Sequence, residues 1–267
     1  MKYIIDAGHR KGEGANANGI NEGELVIKIR DELRKLLPDA LYVPDNLTFP
    51  ETLEFARKNV QADTIAISIH LNSNNNVYLN GTEAYYSDRR DLAEIFSETV
   101  AKRLGTINLG AKHEKYSYFG TLGFLHLPCP GVIVECGYIS NKDDVEKIKN
   151  GIMSIALGIY DAIQKIEIDK KKISILRQLV GLLQKLLALQ NKMKLGALSS
   201  TQNPEKLSLT VKSIAAGLLP VIHLITGIEL VNEQVDKVID AVFVLFTSYL
   251  AIRGYIRAKR NLGGVQN

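Results

Sequence analysis

Apolar and polar positions alternate along the chain in blocks that change period several times. Lys2-Tyr3-Ile4-Ile5-Asp6 is a short apolar run that ends in an acid and a small turn, Ala7-Gly8-His9; it has the pattern of an apolar strand. From Glu22, apolar residues recur at Leu25, Ile29, Leu33 and Leu36 or Leu37 until Pro38, which predicts a helix packed on a sheet. The Gly/Asn-rich stretch between them, Arg10 to Gly19, has no apolar period and reads as a loop folding back over the strand end. Ala40 to Val43 reads as a short second strand. Thr48-Phe49-Pro50-Glu51 is arranged as a capping box with proline in the first turn, opening a helix to Asn59.

Thr64 to Ile69 is the next strand, ending on His70-Leu71-Asn72-Ser73. Gly81 to Tyr86 alternates as a strand, Asp91 to Leu104 has helical spacing, and turn residues surround a short strand expected near Leu122–Leu125. Gly131 to Val134 is continuous and β-branched and runs into Glu135. Ser140 or Asn141 then caps a final helix to about Lys165, with Asp143, Asp144 and Glu146 in the first turn, where carboxylates favour the helix dipole. Strands alternating with helices predict an α/β domain over residues 1–165, a mostly parallel twisted sheet flanked by helices. Ligands of such sheets bind beyond the carboxyl ends of the strands, the edge expected to carry His9, His70 and Glu135.

The pattern changes again after residue 165. Ile173, Leu176, Val180, Leu183 and Leu187 make an apolar stripe, and Lys170 to Lys194 holds seven basic residues and no acid. This predicts a basic amphipathic helix and linker over 166–204, suited to a membrane surface, to packing on neighbouring helices, or to a homo-oligomeric seam. Ile214 to Ile228 and Val238 to Ile252 are strongly apolar, and each is shorter than the ~20 residues of a perpendicular span. Extended toward the acidic connection between them, they predict a transmembrane helical hairpin over 205–267, with a soluble helix pair as the alternative. Lys206 and Lys212 before it, and Arg253, Arg257, Lys259 and Arg260 after it, place both ends on the cytoplasmic side.

Charge follows the same division. Residues 1–169 hold 19 Lys/Arg against 24 Asp/Glu, and residues 170–267 hold 14 against 5. An acidic first part argues against nucleic acid as a partner, and a basic apolar tail suits membrane lipid. The two cysteines, Cys129 and Cys136, make neither a disulfide scaffold nor a four-thiolate metal site. Asp6 and His9 interrupt the only apolar run that could serve as a signal peptide, so synthesis in the cytoplasm without a cleavable signal is expected.

A catalytic zinc site needs three protein ligands, an open position for water and a nearby carboxylate to take the proton. The chain offers His9 and His70 as nitrogen ligands, Glu22 as the oxygen ligand and Glu135 as the base. Each has a structural alternative, since Glu22 also caps a helix and the histidines also start loops. Glu135 favours the chemical reading, because an acid after Val-Ile-Val is partly desolvated and costly unless paired. Asn72 and His126 are candidate substrate contacts.

These residues sit in four ordered motifs: Ile5-Asp6-Ala7-Gly8-His9, Asn21-Glu22-Gly23-Glu24-Leu25, Ser68-Ile69-His70-Leu71-Asn72 and Val134-Glu135-Cys136-Gly137-Tyr138-Ile139-Ser140-Asn141. Over residues 1–165 they resemble the zinc-dependent N-acetylmuramoyl-L-alanine amidases of cell-wall remodelling and phage lysis. Ala7 and Arg10 stand where that family usually has proline and glycine; neither change removes a ligand. The resemblance implies a peptidoglycan hydrolase that cleaves the amide between N-acetylmuramic acid and the L-alanine of the stem peptide. With the holin-like look of the hairpin, the expectation is a membrane-associated lysis or wall-remodelling enzyme. The alternative is a catalytically weak wall- or membrane-binding protein with a membrane-disrupting tail.

Overall fold

The computed structural model describes residues 2–194, with side chains described through Ser174. The chain divides into two compact units, residues 1–168 and 169–267. The amphipathic stripe beyond Ser174, the linker and the hairpin expected over 205–267 lie outside the residues whose side chains are described. Among the described residues no helix is long and apolar enough to cross a membrane.

In the first unit, β1 (Lys2–Asp6) leads through a loop carrying the two-residue strands β2 (Asn16–Ala17) and β3 (Ile20–Asn21) into α1 (Glu22–Leu36). There follow β4 (Leu41–Tyr42), α2 (Phe49–Asn59), β5 (Thr64–Asn72), β6 (Thr82–Tyr86), α3 (Arg90–Leu104) and β7 (Asn108–His113). Two single-turn 3-10 helices, Glu114–Tyr116 and Gly123–His126, precede β8 (Gly131–Tyr138), α4 (Lys142–Asn150) and α5 (Ile152–Lys194). The sheet order is β4-β1-β5-β8-β6-β7, with β6 antiparallel to β8 and the other pairs parallel.

Because side chains alternate along a strand, the central strands feed two cores. Ile5, Ile65, Ile67, Ile69, Val132 and Val134 point to one face, where α1, α3, α4 and α5 bring Ile29, Phe96, Ile148 and Ile159. Ile4, Ala66 and Ile133 point to the other, thinner face, covered by Ala56 of α2 and by Phe124, Leu125 and Leu127. The strand parity of Ile4, Ala66 and Ile133 is also that of Asp6, Ser68, His70 and Glu135, so these polar groups emerge on the thinner side.

Four expectations need correction. β5 and β8 do not stop before His70 and Glu135; both residues lie inside their strands, and His70 pairs with Glu135 in the register. The strand expected near Leu122–Leu125 is a 3-10 turn, and the strand of that region is β7, whose Asn-Leu-Gly-Ala-Lys-His has no apolar run to announce it. The final helix is two, because Asn141 caps only α4 and the chain turns at Gly151 before α5. The loop after His9 is a miniature hairpin; Asn18 and Gly19 both have positive φ, the signature of a tight two-residue connection.

Candidate metal centre and its cleft

His9 leaves β1 through a turn fixed by Asp6. The Gly8 N–H donates to Asp6 Oδ2 at 3.0 Å, and Ser68 Oγ donates to the same oxygen at 2.7 Å. Glu22 opens α1 just after the hairpin, where its N–H donates to Ala15 O at 2.9 Å and the Gly23 N–H donates to Glu13 O at 3.1 Å. The Asn21 side chain caps the helix by accepting from the Glu24 N–H at 3.0 Å. The hairpin and the cap thus return Glu22 to the end of β1.

His9, Glu22 and His70 meet there, with donor atoms all within 4.8 Å of one another. Glu22 Oε2 lies 3.3 Å from His9 Nε2, and its Oε1 lies 3.2 Å from His70 Nδ1. Backbone N–H groups of Ala15 and Leu71 also donate to this carboxylate, at 2.9 and 3.0 Å. The site is closely moulded: a Cβ on Gly14, whose φ is +79°, would come within 2.7 Å of Glu22 Oε2 and 2.9 Å of His9 Cδ2.

The outer hydrogen bonds assign the imidazole of His70. Ser68 has one hydroxyl proton, which it gives to the Asp6 carboxylate, so it accepts at 3.1 Å from His70 Nε2. A neutral His70 then carries its proton on Nε2 and presents the Nδ1 lone pair to Glu22 and the cluster. Burial tends to lower the His70 pKa, but its hydrogen bond to Glu22 and the nearby Glu135 and Asp6 charges raise it to about 9. Burial likewise opposes ionisation of Glu22, yet hydrogen bonds from His70 and His9 hold its carboxyl well below the usual range. Two imidazoles converging on an ionised carboxylate form a donor set suited to a divalent cation.

Glu135 stands beside this cluster. Its Oε2 is buried without a hydrogen-bond partner among the described residues, and burial pushes its pKa up to about 8, eased by His70 and reinforced by Glu22 and Glu83. A solitary buried carboxyl oxygen costs on the order of a few kcal/mol unless something polar meets it. The opening of the site is a cleft of about 470 Å³ on the thinner face of the sheet. It runs from His9 and His70 past Arg10 and Asp45, between Phe49 at the start of α2 and the segment around Phe119.

The remaining candidates fall apart from the cluster. Asn72 donates to Glu83 Oε1 at 3.0 Å. His126 pairs through Nε2 with Glu114 at 2.8 Å and does not line the cleft. Two residues in the site had no assigned role in the sequence reading. Asp6 holds both the turn and Ser68, and fully buried Glu83 lies opposite Glu135 in the register of β6 and β8. Glu83 accepts from Tyr85 Oη at 2.9 Å and pairs with Lys112. The available signal was strand parity, since Glu83 shares the inward face with Tyr85.

A carboxylate and imidazole cluster whose donor atoms could hold a cation lies beside a buried acid on a mostly parallel α/β sheet. Residues 4–165 match the family model of N-acetylmuramoyl-L-alanine amidase, designated Amidase_3, and the chain belongs to that family. Among curated relatives it is 30% identical over 173 residues to the N-acetylmuramoyl-L-alanine amidase LytC of Bacillus subtilis, covering 59% of this chain and 34% of that protein. It is 28% identical over 184 residues to the endolysin of Bacillus phage SPP1, covering 63% of this chain and 66% of that one. The chain thus spans about a third to two thirds of these relatives. The fold resembles the catalytic domain of CwlV, an N-acetylmuramoyl-L-alanine amidase from Bacillus (Paenibacillus) polymyxa, with TM-score 0.54, 23% identity, and 62% of this chain and 97% of that chain covered.

Proposed function

We propose that this chain hydrolyses the amide between the lactyl group of N-acetylmuramic acid and the L-alanine of the stem peptide, with zinc held by His9, Glu22 and His70. Family membership supports the reaction class. The observation that carries the reading is the Oε2 of Glu135, without a hydrogen-bond partner among the described residues, beside the three-donor cluster: a buried acid left free next to groups that can hold a cation is placed to take a proton.

When bound, zinc supplies Lewis acidity to the water and the amide carbonyl that meet at the cluster. Glu135 accepts the proton of the attacking water and returns it to the departing L-alanine nitrogen. Its high pKa in the metal-free protein reflects burial; a neighbouring cation favours the ionised form that can accept. Ser68 and Asp6 hold His70 in the tautomer that presents Nδ1. The complete donor set weighs against a binding protein that has lost its chemistry.

The experiment is incubation of purified peptidoglycan with the protein, with and without zinc, followed by analysis of the new ends. New L-alanine amino termini on the released stem peptides, with the glycan strands left intact and carrying lactyl carboxyls, support the amidase; new reducing sugar ends, or no new termini, contradict it. A membrane-associated role in lysis or wall remodelling is proposed from the apolar and basic pattern of residues 205–267 alone. Fractionation of the full chain with membranes, lost when those residues are removed, would support it.

A further inference from the structure

The cleft carries a feature the reaction does not explain, an apolar aromatic wall left open to solvent. Phe49 is 55% exposed and Phe119 77% exposed, and both line the cleft. Tyr118 is 96% exposed and meets Phe119 edge to face with ring centroids 5.2 Å apart. The rings sit on a supported frame. The Phe49 ring lies over Gly123, where a Cβ would come within 3.2 Å of its Cζ. Buried Glu114 accepts from the Leu122 N–H at 2.7 Å and pairs with His126 at 2.8 Å, tying the aromatic segment at both ends.

We infer that Phe49 and Phe119 form a stacking platform for a pyranose ring of the glycan strand, on the lactyl side of the scissile amide. This rests on the amidase reading for its substrate. Exposed aromatic groups continuous with a ligand cleft mark a binding surface, and the axial C–H face of a sugar ring meets the negative face of an aromatic ring favourably. Charge decides between sugar and stem peptide. The peptide carries carboxylates, but Arg10 is already paired with Glu13, and Asp45 at the wall is itself an acid held by Arg30. Among the described residues the wall presents no unpaired Lys or Arg to a peptide carboxylate, and it presents apolar faces that suit a neutral ring.

The test is binding without turnover. A peptide-free oligosaccharide of alternating N-acetylglucosamine and N-acetylmuramic acid with its lactyl carboxyls capped as amides, and separately the dipeptide L-alanyl-D-glutamate, are titrated into the metal-free full-length chain while the phenylalanine ring resonances are followed. The oligosaccharide is expected to shift the Phe49 and Phe119 signals. Phe49→Ala and Phe119→Ala should each weaken its binding roughly three- to tenfold, Phe119→Tyr should restore it, and dipeptide binding should not change. Both rings are exposed, so the substitutions leave the core intact. Equal oligosaccharide affinity in wild type and both alanine variants overturns the platform, as does a dipeptide that shifts these rings when the oligosaccharide does not. Failure of the amidase reading would show separately, as absent L-alanine termini.

Discussion

His70 and Glu135 occupy directly paired positions on the adjacent parallel strands β5 and β8, so the strand register itself holds a cluster imidazole beside the buried acid. No loop needs to order before the two meet. Their coupling also makes the metal-free site sensitive to pH.

Both groups have raised pKa values when folded, Glu135 to about 8 from 4.5 and His70 to about 9 from 6.5. A raised pKa contributes stability that is present below the unfolded value and is lost as pH rises through the folded one. The metal-free protein is therefore expected to lose on the order of a few kcal/mol between about pH 5 and 9. Glu135→Gln should flatten the lower part of that profile. Thermal or urea unfolding across this range in chelator checks it; a flat wild-type profile would contradict the burial of Glu135.

Zinc uptake should release a proton. Below pH 9 the His70 imidazole is protonated in the metal-free protein, and the cation must displace that proton to use Nδ1. Apparent affinity should rise about tenfold per pH unit between about pH 8 and 9, more steeply below about 8 where Glu135 also gives up its proton, and level off above 9. Calorimetry in two buffers of different ionisation enthalpy reads the proton directly.

Ser68→Ala removes the acceptor that holds His70 Nε2–H, while Asp6 keeps its bond to the Gly8 N–H. Loss of an outer partner of this kind costs about 10–100-fold in metal affinity. The expected result is weakened zinc binding with a normal circular-dichroism spectrum. Unchanged affinity would mean that the ring orientation is set elsewhere.

Gly14→Ala places a methyl group against Glu22 and His9 at a positive-φ position. Gly14 is exposed on the loop, so the core should survive at a cost of roughly 1–2 kcal/mol. Metal binding should suffer more than stability. Competition against a chromogenic chelator, run beside an unfolding curve, separates the two effects.

The site was largely legible because its residues sit where the pattern changes period. Ile4-Ile5-Asp6, Ile67-Ser68-Ile69 and Val132-Ile133-Val134 are buried central strands whose apolar runs announce them, and Glu22 begins a helix with a clear cap. What escaped lacked such contrast. Asn108 to His113 forms an edge strand without an apolar run, the Asn18-Gly19 hairpin turn lies in a stretch with no apolar period, and Gly151 alone marks the break between α4 and α5. Glu83 reads as solvent-facing because it is an acid in an alternating strand; its parity with buried Tyr85 hints otherwise, and the pairing with β8 sets it opposite Glu135.

The central claim is that Glu135 moves the proton and that the three-donor cluster holds the cation without it. The most direct measurement is the single-turnover rate of stem-peptide release by Glu135→Gln, with bound zinc quantified in the same sample. The account predicts one zinc per chain, as in wild type, and a rate lower by at least about a hundredfold. A zinc-loaded Glu135→Gln protein that releases peptides at the wild-type rate would contradict it.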